Sequence, residues 1–112
     1  MGKYLFYVMR GQKMCFVHVL LNALDLVESG NEVKIILEGE SVKLPQILEE
    51  EKFGLYLRAK EKNLFDGVCY ACSVQLGVLE FNQSLDYPLI KDMNGHAGMT
   101  KYVNDGYNVL IF

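Results

Sequence analysis

The sequence has no run of about 20 uncharged residues, so no segment of it reads as a membrane-spanning helix. Its longest helical candidate is interrupted by His18, Asn22, Asp25 and Glu28. The amino-terminal stretch MGKYLFYVMRG lacks the apolar core and small-residue cleavage site of a secretory signal, and Phe6 stands where an N-myristoylation signal needs Ser or Thr. Basic stripes are also missing. The formal net charge is -3, the acidic residues are scattered, and Glu49-Glu50-Glu51 is followed at once by Lys52. Such a surface cannot neutralise a phosphate backbone, which excludes nucleic acid as the expected partner. Cysteine is scarce and odd in number, at three. Without a signal peptide that implies free thiols in a reducing, cytoplasmic setting rather than a disulfide framework. No dinucleotide fingerprint or P-loop lysine motif follows the first strand. There is no nucleophile elbow with a Ser-His-Asp grouping and no well-placed carboxylate pair.

What is present is apolar. Hydrophobic residues make up 51% of 112 residues, at the upper limit of the ordinary soluble range. A single domain of this size, residues 1–112, buries only about two-thirds of its unfolded surface. Contact between copies is the expected outlet, so the chain reads as a homo-oligomer.

The pattern along the chain alternates. Lys3 to Met9 reads as a strand buried on both faces, Glu32 to Leu37 as a second strand, Val68 to Ala71 as a third, buried strand and Tyr107 to Phe112 as a terminal strand. Asp86 to Ile90 reads as a short edge strand, marked by Pro88. Lys13 to Ser29, Leu44 to Glu51, Phe53 to Asn63, Ser73 to Phe81 (interrupted at Gly77) and the segment after Gly98 read as helices. Alternation of this kind predicts right-handed crossovers and an α/β fold, with a mainly parallel sheet between helices. The first helix has a narrow polar stripe, which predicts that Leu20 and Leu24 face another subunit.

In such a sheet the functional loops gather at the carboxyl ends of the strands. Four loops are placed there: Arg10-Gly11-Gln12, Glu38 to Ser41, Cys72-Ser73 and Asp92 to Gly98. Cys72, read as following the third strand and preceding a helix, is the first candidate. A helix N-terminus favours the thiolate, with Ser73 as the N-cap beside it. The bland alternative is a small buried residue at a strand end. Cys69 forms Cys-x-x-Cys with it. A dithiol or half of a zinc site are the chemical readings, against a side chain packed inside the strand and pointing away from Cys72. The expectation is therefore no metal. His96 is either a base near Cys72 or a loop histidine. Arg10, Gly11, Gly95 and Gly98 are candidates for a ligand rim. Cys15 and His18 read as helix-packing and surface residues.

Leu64 to Leu79 (LFDGVCYACSVQLGVL) and Asp92 to Phe112 (DMNGHAGMTKYVNDGYNVLIF) together resemble the DsrE/DsrF-like family of small cytoplasmic proteins. The local features are Ala71-Cys72, the Asn94-Gly95-His96 loop and the aliphatic last strand. The resemblance implies a three-layer α/β/α sandwich of about five strands and assembly into trimers or hexamers. It also implies a sulfur-relay role without cofactor. A sulfane sulfur would be held as a persulfide on Cys72 and exchanged with a donor or acceptor protein. Cys69 and the His96 loop depart from the sulfur-transfer members. The competing expectation is a non-catalytic oligomeric module that binds a small ligand or a protein.

Overall fold

A computed structural model describes all residues, 1–112. The strands are β1 (Lys3–Val8), β2 (Glu32–Leu37), β3 (Phe65–Cys69), β4 (Leu89–Ile90) and β5 (Asn108–Ile111). The helices are α1 (Lys13–Glu28), α2 (Leu44–Glu50), α3 (Gly54–Glu61), α4 (Tyr70–Gln75), α5 (Leu79–Ser84) and α6 (Thr100–Asn104), and a 3₁₀ turn spans Gly39–Lys43. The five strands form one wholly parallel sheet in the order β4-β3-β2-β1-β5. This is an α/β sandwich, as the alternation predicts, and no helix is long and apolar enough to cross a membrane.

Strand order decides the layers. Successive crossovers from β1 to β4 move in one direction, so right-handed connections put their helices on one face. The return from β4 to β5 runs the other way and puts α6 on the opposite face. Side chains agree. Phe16 of α1 stacks on Phe65 on the first face, with Tyr56 and Tyr87 against the same ring. On the second face Tyr102 of α6 bonds Asp66.

α1 packs by an ordinary helical stripe, not all round. Phe16, Val19, Leu20, Ala23 and Leu24 are buried at i, i+3, i+4 spacing. Leu20 and Leu24 therefore belong to the core of this subunit, which corrects their assignment to a subunit interface. The apolar residues that α1 does expose are Met14 and Leu21.

One irregularity sets up the site. Ile35 pairs with Phe65 but Ile36 pairs with Gly67, so β3 carries an extra residue, Asp66. A one-residue slip exchanges the two faces of a strand. Beyond the bulge Gly67 shares the face of Ile36 and Tyr7, and Cys69, two residues on, shares it too. Without the bulge Cys69 would face α1. Gly67 also has no room for a side chain: a Cβ there would lie 2.1 Å from Ile90 Cδ1 and 2.7 Å from its Cγ1. Gly67→Ala is expected to cost about 1–3 kcal/mol by overpacking, read as a lower urea midpoint. Adding Ile90→Val, which removes Cδ1, should return part of the loss. An additive or larger loss in the double variant would contradict this account.

Candidate functional site

Four side chains converge at the carboxyl end of the sheet, on the α6 face. Glu38 Oε, Cys69 Sγ, Cys72 Sγ and His96 Nδ1 all lie within 4.8 Å of one another. Each is positioned by a different local device.

Cys69 ends β3 and is the N-cap of α4, and its sulfur accepts from the Cys72 N–H at 3.4 Å. The helix thus begins at Tyr70, inside the segment read as strand. That changes the geometry of the pair. An N-cap side chain turns back over the N3 position, so Cys69 and Cys72 approach one another instead of pointing apart. Ser73 is correspondingly not a cap. It is fully buried within α4, donates to the Cys69 carbonyl at 2.8 Å and accepts from Asn82 Nδ2 at 3.2 Å.

His96 is held by a two-residue hairpin. Asn94 and Gly95 both have positive φ, 51° and 91°, and Met93 and His96 exchange two backbone hydrogen bonds of 2.9 Å. Asn-Gly is the sequence this turn favours, because both central residues must be left-handed. The Gly95 carbonyl accepts from Ala71 N at 2.9 Å, tying the hairpin to the first turn of α4. His96 Nδ1 lies 3.2 Å from Cys69 Sγ, 3.5 Å from Cys72 Sγ and 3.2 Å from Glu38 Oε1. Its side chain is 39% exposed, which makes it the only open member of the group.

Glu38 follows the last residue of β2 and is 5% exposed. Its Oε2 accepts from Ala97 N at 3.0 Å and from the Tyr7 hydroxyl at 3.4 Å, and its Oε1 accepts from Gly39 N at 3.2 Å. The Cys72 thiol donates to the same Oε1 at 2.8 Å. Burial acts to raise the carboxyl pKa, but the hydrogen bonds from Cys72, Cys69, Ala97 and Gly39 outweigh it and hold it below its ordinary value. The single Tyr7 proton goes chiefly to the Ala97 carbonyl at 2.7 Å, the contact with Glu38 being the weaker, and burial together with the Glu38 charge pushes its phenol up to about 12.

The thiols respond in the opposite sense to the expected helix N-terminal activation. Burial and then the hydrogen bond to Glu38 push Cys72 up to about 12, and burial also raises Cys69. Cys72 is 7% exposed and Cys69 fully buried. In the resting arrangement both are neutral thiols beside a buried carboxylate.

Other candidates lie elsewhere. Arg10 does not reach this rim. With Val8, Cys15, Phe16, His18, Val19 and Phe112 it lines a hollow of about 280 Å³ against α1, because the chain turns to that face after β1. Gly11 packs against Glu40 in a close backbone approach, and Gly98 N donates to Asp92 Oδ1 in the turn before α6. Cys15 donates to Gln12 Oε1 and stands apart from the other thiols. Glu38 and Tyr7 are the participants that sequence reasoning missed. The signal for Glu38 was its position, a carboxylate directly after an apolar strand and before a glycine.

No family model and no solved structure matches the chain. The uncharacterized protein MJ0733 of Methanocaldococcus jannaschii is 36% identical over 94 residues, covering 84% of this chain and 77% of that protein. The chain belongs to the same family as MJ0733.

Proposed function

We propose that this protein is a DsrE/DsrF-like sulfur carrier that holds sulfane sulfur as a persulfide on Cys72. The observation that carries the reading is the company of that one thiol: a carboxylate at 2.8 Å, an imidazole nitrogen at 3.5 Å and a second cysteine, at the carboxyl end of the third strand. His96 Nδ1 takes the Cys72 proton when a donor docks. The thiolate attacks the outer sulfur of the donor persulfide. One S–S bond forms at Cys72, the donor's S–S bond breaks, and the donor leaves as a thiol with the proton from His96. The step is an exchange without net oxidation. A partner thiolate then takes the outer sulfur and regenerates Cys72. No cofactor is consumed. Three free thiols suit a cytoplasmic setting, and the exposed Met14 and Leu21 on α1 suit assembly into a homotrimer or hexamer.

Incubation of the reduced protein with inorganic polysulfide, followed by peptide mass spectrometry, tests this. One added sulfur is expected on the peptide bearing Cys72, absent in Cys72→Ser and retained in Cys15→Ser. Sulfur found only on Cys15, or on no cysteine, would overturn the reading.

The hollow beside Arg10 favours a second reading, a binding module without catalysis. Four of its residues, Val8, Phe16, Val19 and Phe112, are apolar, and the Arg10 guanidinium makes no hydrogen bond or ion pair. A small apolar carboxylate would suit it.

A further inference from the structure

The four groups around Cys72 are also a set of metal-ligand atoms: one carboxylate oxygen, two thiol sulfurs and one imidazole nitrogen, from three separate segments of the chain. Soft thiolates joined by imidazole select zinc-class ions over calcium or magnesium. We infer that Glu38 Oε1, Cys69 Sγ, Cys72 Sγ and His96 Nδ1 bind one divalent ion of this class, with Zn²⁺ as the expected occupant.

The distances fit a tetrahedron. With metal–sulfur bonds of about 2.3 Å and metal–nitrogen or metal–oxygen bonds of about 2.0–2.2 Å, the edges of such a site run from about 3.4 to about 3.8 Å. Four of the six edges measure 3.2, 3.5, 3.2 and 2.8 Å, and the other two, from Cys69 Sγ to Cys72 Sγ and to Glu38, are no longer than 4.8 Å. Of those four, only the Cys72–Glu38 edge, now bridged by the thiol proton, must lengthen by more than about half an ångström. The supports for a metal centre are already built. Ala97 N and Tyr7 hold the far oxygen of Glu38, the hairpin fixes His96, and the first turn of α4 fixes both sulfurs. Outer contacts of this kind orient ligands and govern affinity. Binding replaces two thiol protons: the ion, two thiols, one carboxylate and one imidazole give the complex and two released protons. The resulting charge is -1 at the centre (two thiolates and one carboxylate against a divalent ion), where a single buried carboxylate stood before.

This inference does not rest on sulfur transfer, but it constrains it. Metal binding and persulfide loading both need the Cys72 sulfur, so they exclude one another. The metal reading is tested without polysulfide, and either proposal can fail alone.

The test uses the reduced, chelator-treated full chain, titrated with Co²⁺ and then with Zn²⁺ in competition with a chromogenic chelator. One equivalent is expected to bind. Cobalt should give the sulfur-to-metal charge-transfer absorption and strong visible bands of a tetrahedral thiolate site, and Zn²⁺ should displace it. Cys69→Ser and Cys72→Ser should each weaken binding by about 100-fold or more and change the cobalt spectrum, while Cys15→Ser should leave both unchanged. Circular dichroism of each variant separates lost binding from lost fold, and His96→Gln serves as a variant on the exposed side if either serine variant fails to fold. Zn²⁺ should also protect Cys69 and Cys72, but not Cys15, from alkylation. Binding below one equivalent, a six-coordinate cobalt spectrum, or affinity indifferent to Cys69 and Cys72 would overturn the inference.

Discussion

Replacing Glu38 with glutamine is expected to make Cys72 in the metal-free protein several-fold more reactive toward iodoacetamide near pH 8. Glutamine keeps the shape and one oxygen to accept from Ala97 N, but removes the charge. The Cys72 thiol is raised to about 12 first by burial and then by its bond to Glu38. The burial share stays in the variant; the carboxylate share goes. Each unit by which a thiol pKa falls raises the thiolate fraction tenfold at a pH well below it. The thiolate's intrinsic nucleophilicity falls by a little under half of that on a logarithmic scale. Each unit of lowering thus yields a net gain of roughly three- to fourfold. Alkylation at Cys72 against pH, read by peptide mass spectrometry, gives both the rate and the apparent pKa. Cys15, distant from Glu38, should not change and serves as the internal standard. An unchanged pH profile at Cys72 would mean that burial alone keeps this thiol protonated, and the carboxylate would lose its role as its lock.

Much of this arrangement was legible in the sequence, and the unread part has a physical cause in each case. KYLFYVM, EVKIIL and YNVLIF are mostly apolar runs, so β1, β2 and β5 declare themselves as strands; β1 and β2 are largely buried, whereas β5 closes one edge of the sheet and leaves Asn108, Leu110 and Ile111 exposed. β3 does not. Asp66 and Gly67 break its pattern because one sits at a bulge and the other makes room for Ile90. The apolar Tyr70 and Ala71 look like strand while opening a helix. Moving the strand end from Ala71 back to Cys69 decides everything about the two thiols: Cys69 becomes a cap, Cys72 lies one turn into the helix, and both turn toward the α6 face. Glu38 could be placed at the rim from its position after β2, but its partners could not be read locally, for a different reason. Its partners Ala97, Cys72 and Tyr7 are 31 to 59 residues away in sequence, and only the closed sheet brings them to one carboxylate. Arg10 shows the converse error. It stands at the correct end of the sheet, but a sheet has two faces and the chain leaves β1 toward α1.

The protein is expected to lose stability steeply between about pH 9 and 12, and to do so as one cooperative transition. The cause is the number of buried acids that the fold keeps neutral. Burial, first among the causes in each, pushes Cys72, Tyr7 and Tyr87 up to about 12. Tyr56, Tyr102 and Tyr107 are raised further in the same direction, with Glu49, Asp66 and Glu32 as their carboxylate partners. The ordinary values are 9.0 for the thiol and 10.0 for the phenols. An acid whose folded pKa is raised stabilises the fold fully below its unfolded pKa. That contribution drains away as pH climbs from the unfolded value to the folded one, because only the unfolded chain can release the proton. A shift of one unit is about 1.4 kcal/mol, so Cys72 and two or three tyrosines represent several kcal/mol. That is comparable with the whole stability of a domain, about 5–15 kcal/mol. The acid limb has the opposite sign. Glu38, held below its ordinary 4.5, stabilises the fold above that value and less as pH falls through its folded pKa. Urea midpoints measured from pH 4 to 11 should therefore form a plateau between about 5 and 9 with a fall on each side. On the alkaline side, tyrosinate absorbance should rise together with the loss of far-ultraviolet ellipticity rather than ahead of it. Cys72→Ala should delay the onset of the alkaline fall, since the first group to drive it is then missing, and leave the tyrosine-driven part in place. Tyrosinate appearing near pH 10 in a protein that remains folded would show that these phenols reach water in the native state, and the packing that raises them would have to be redrawn.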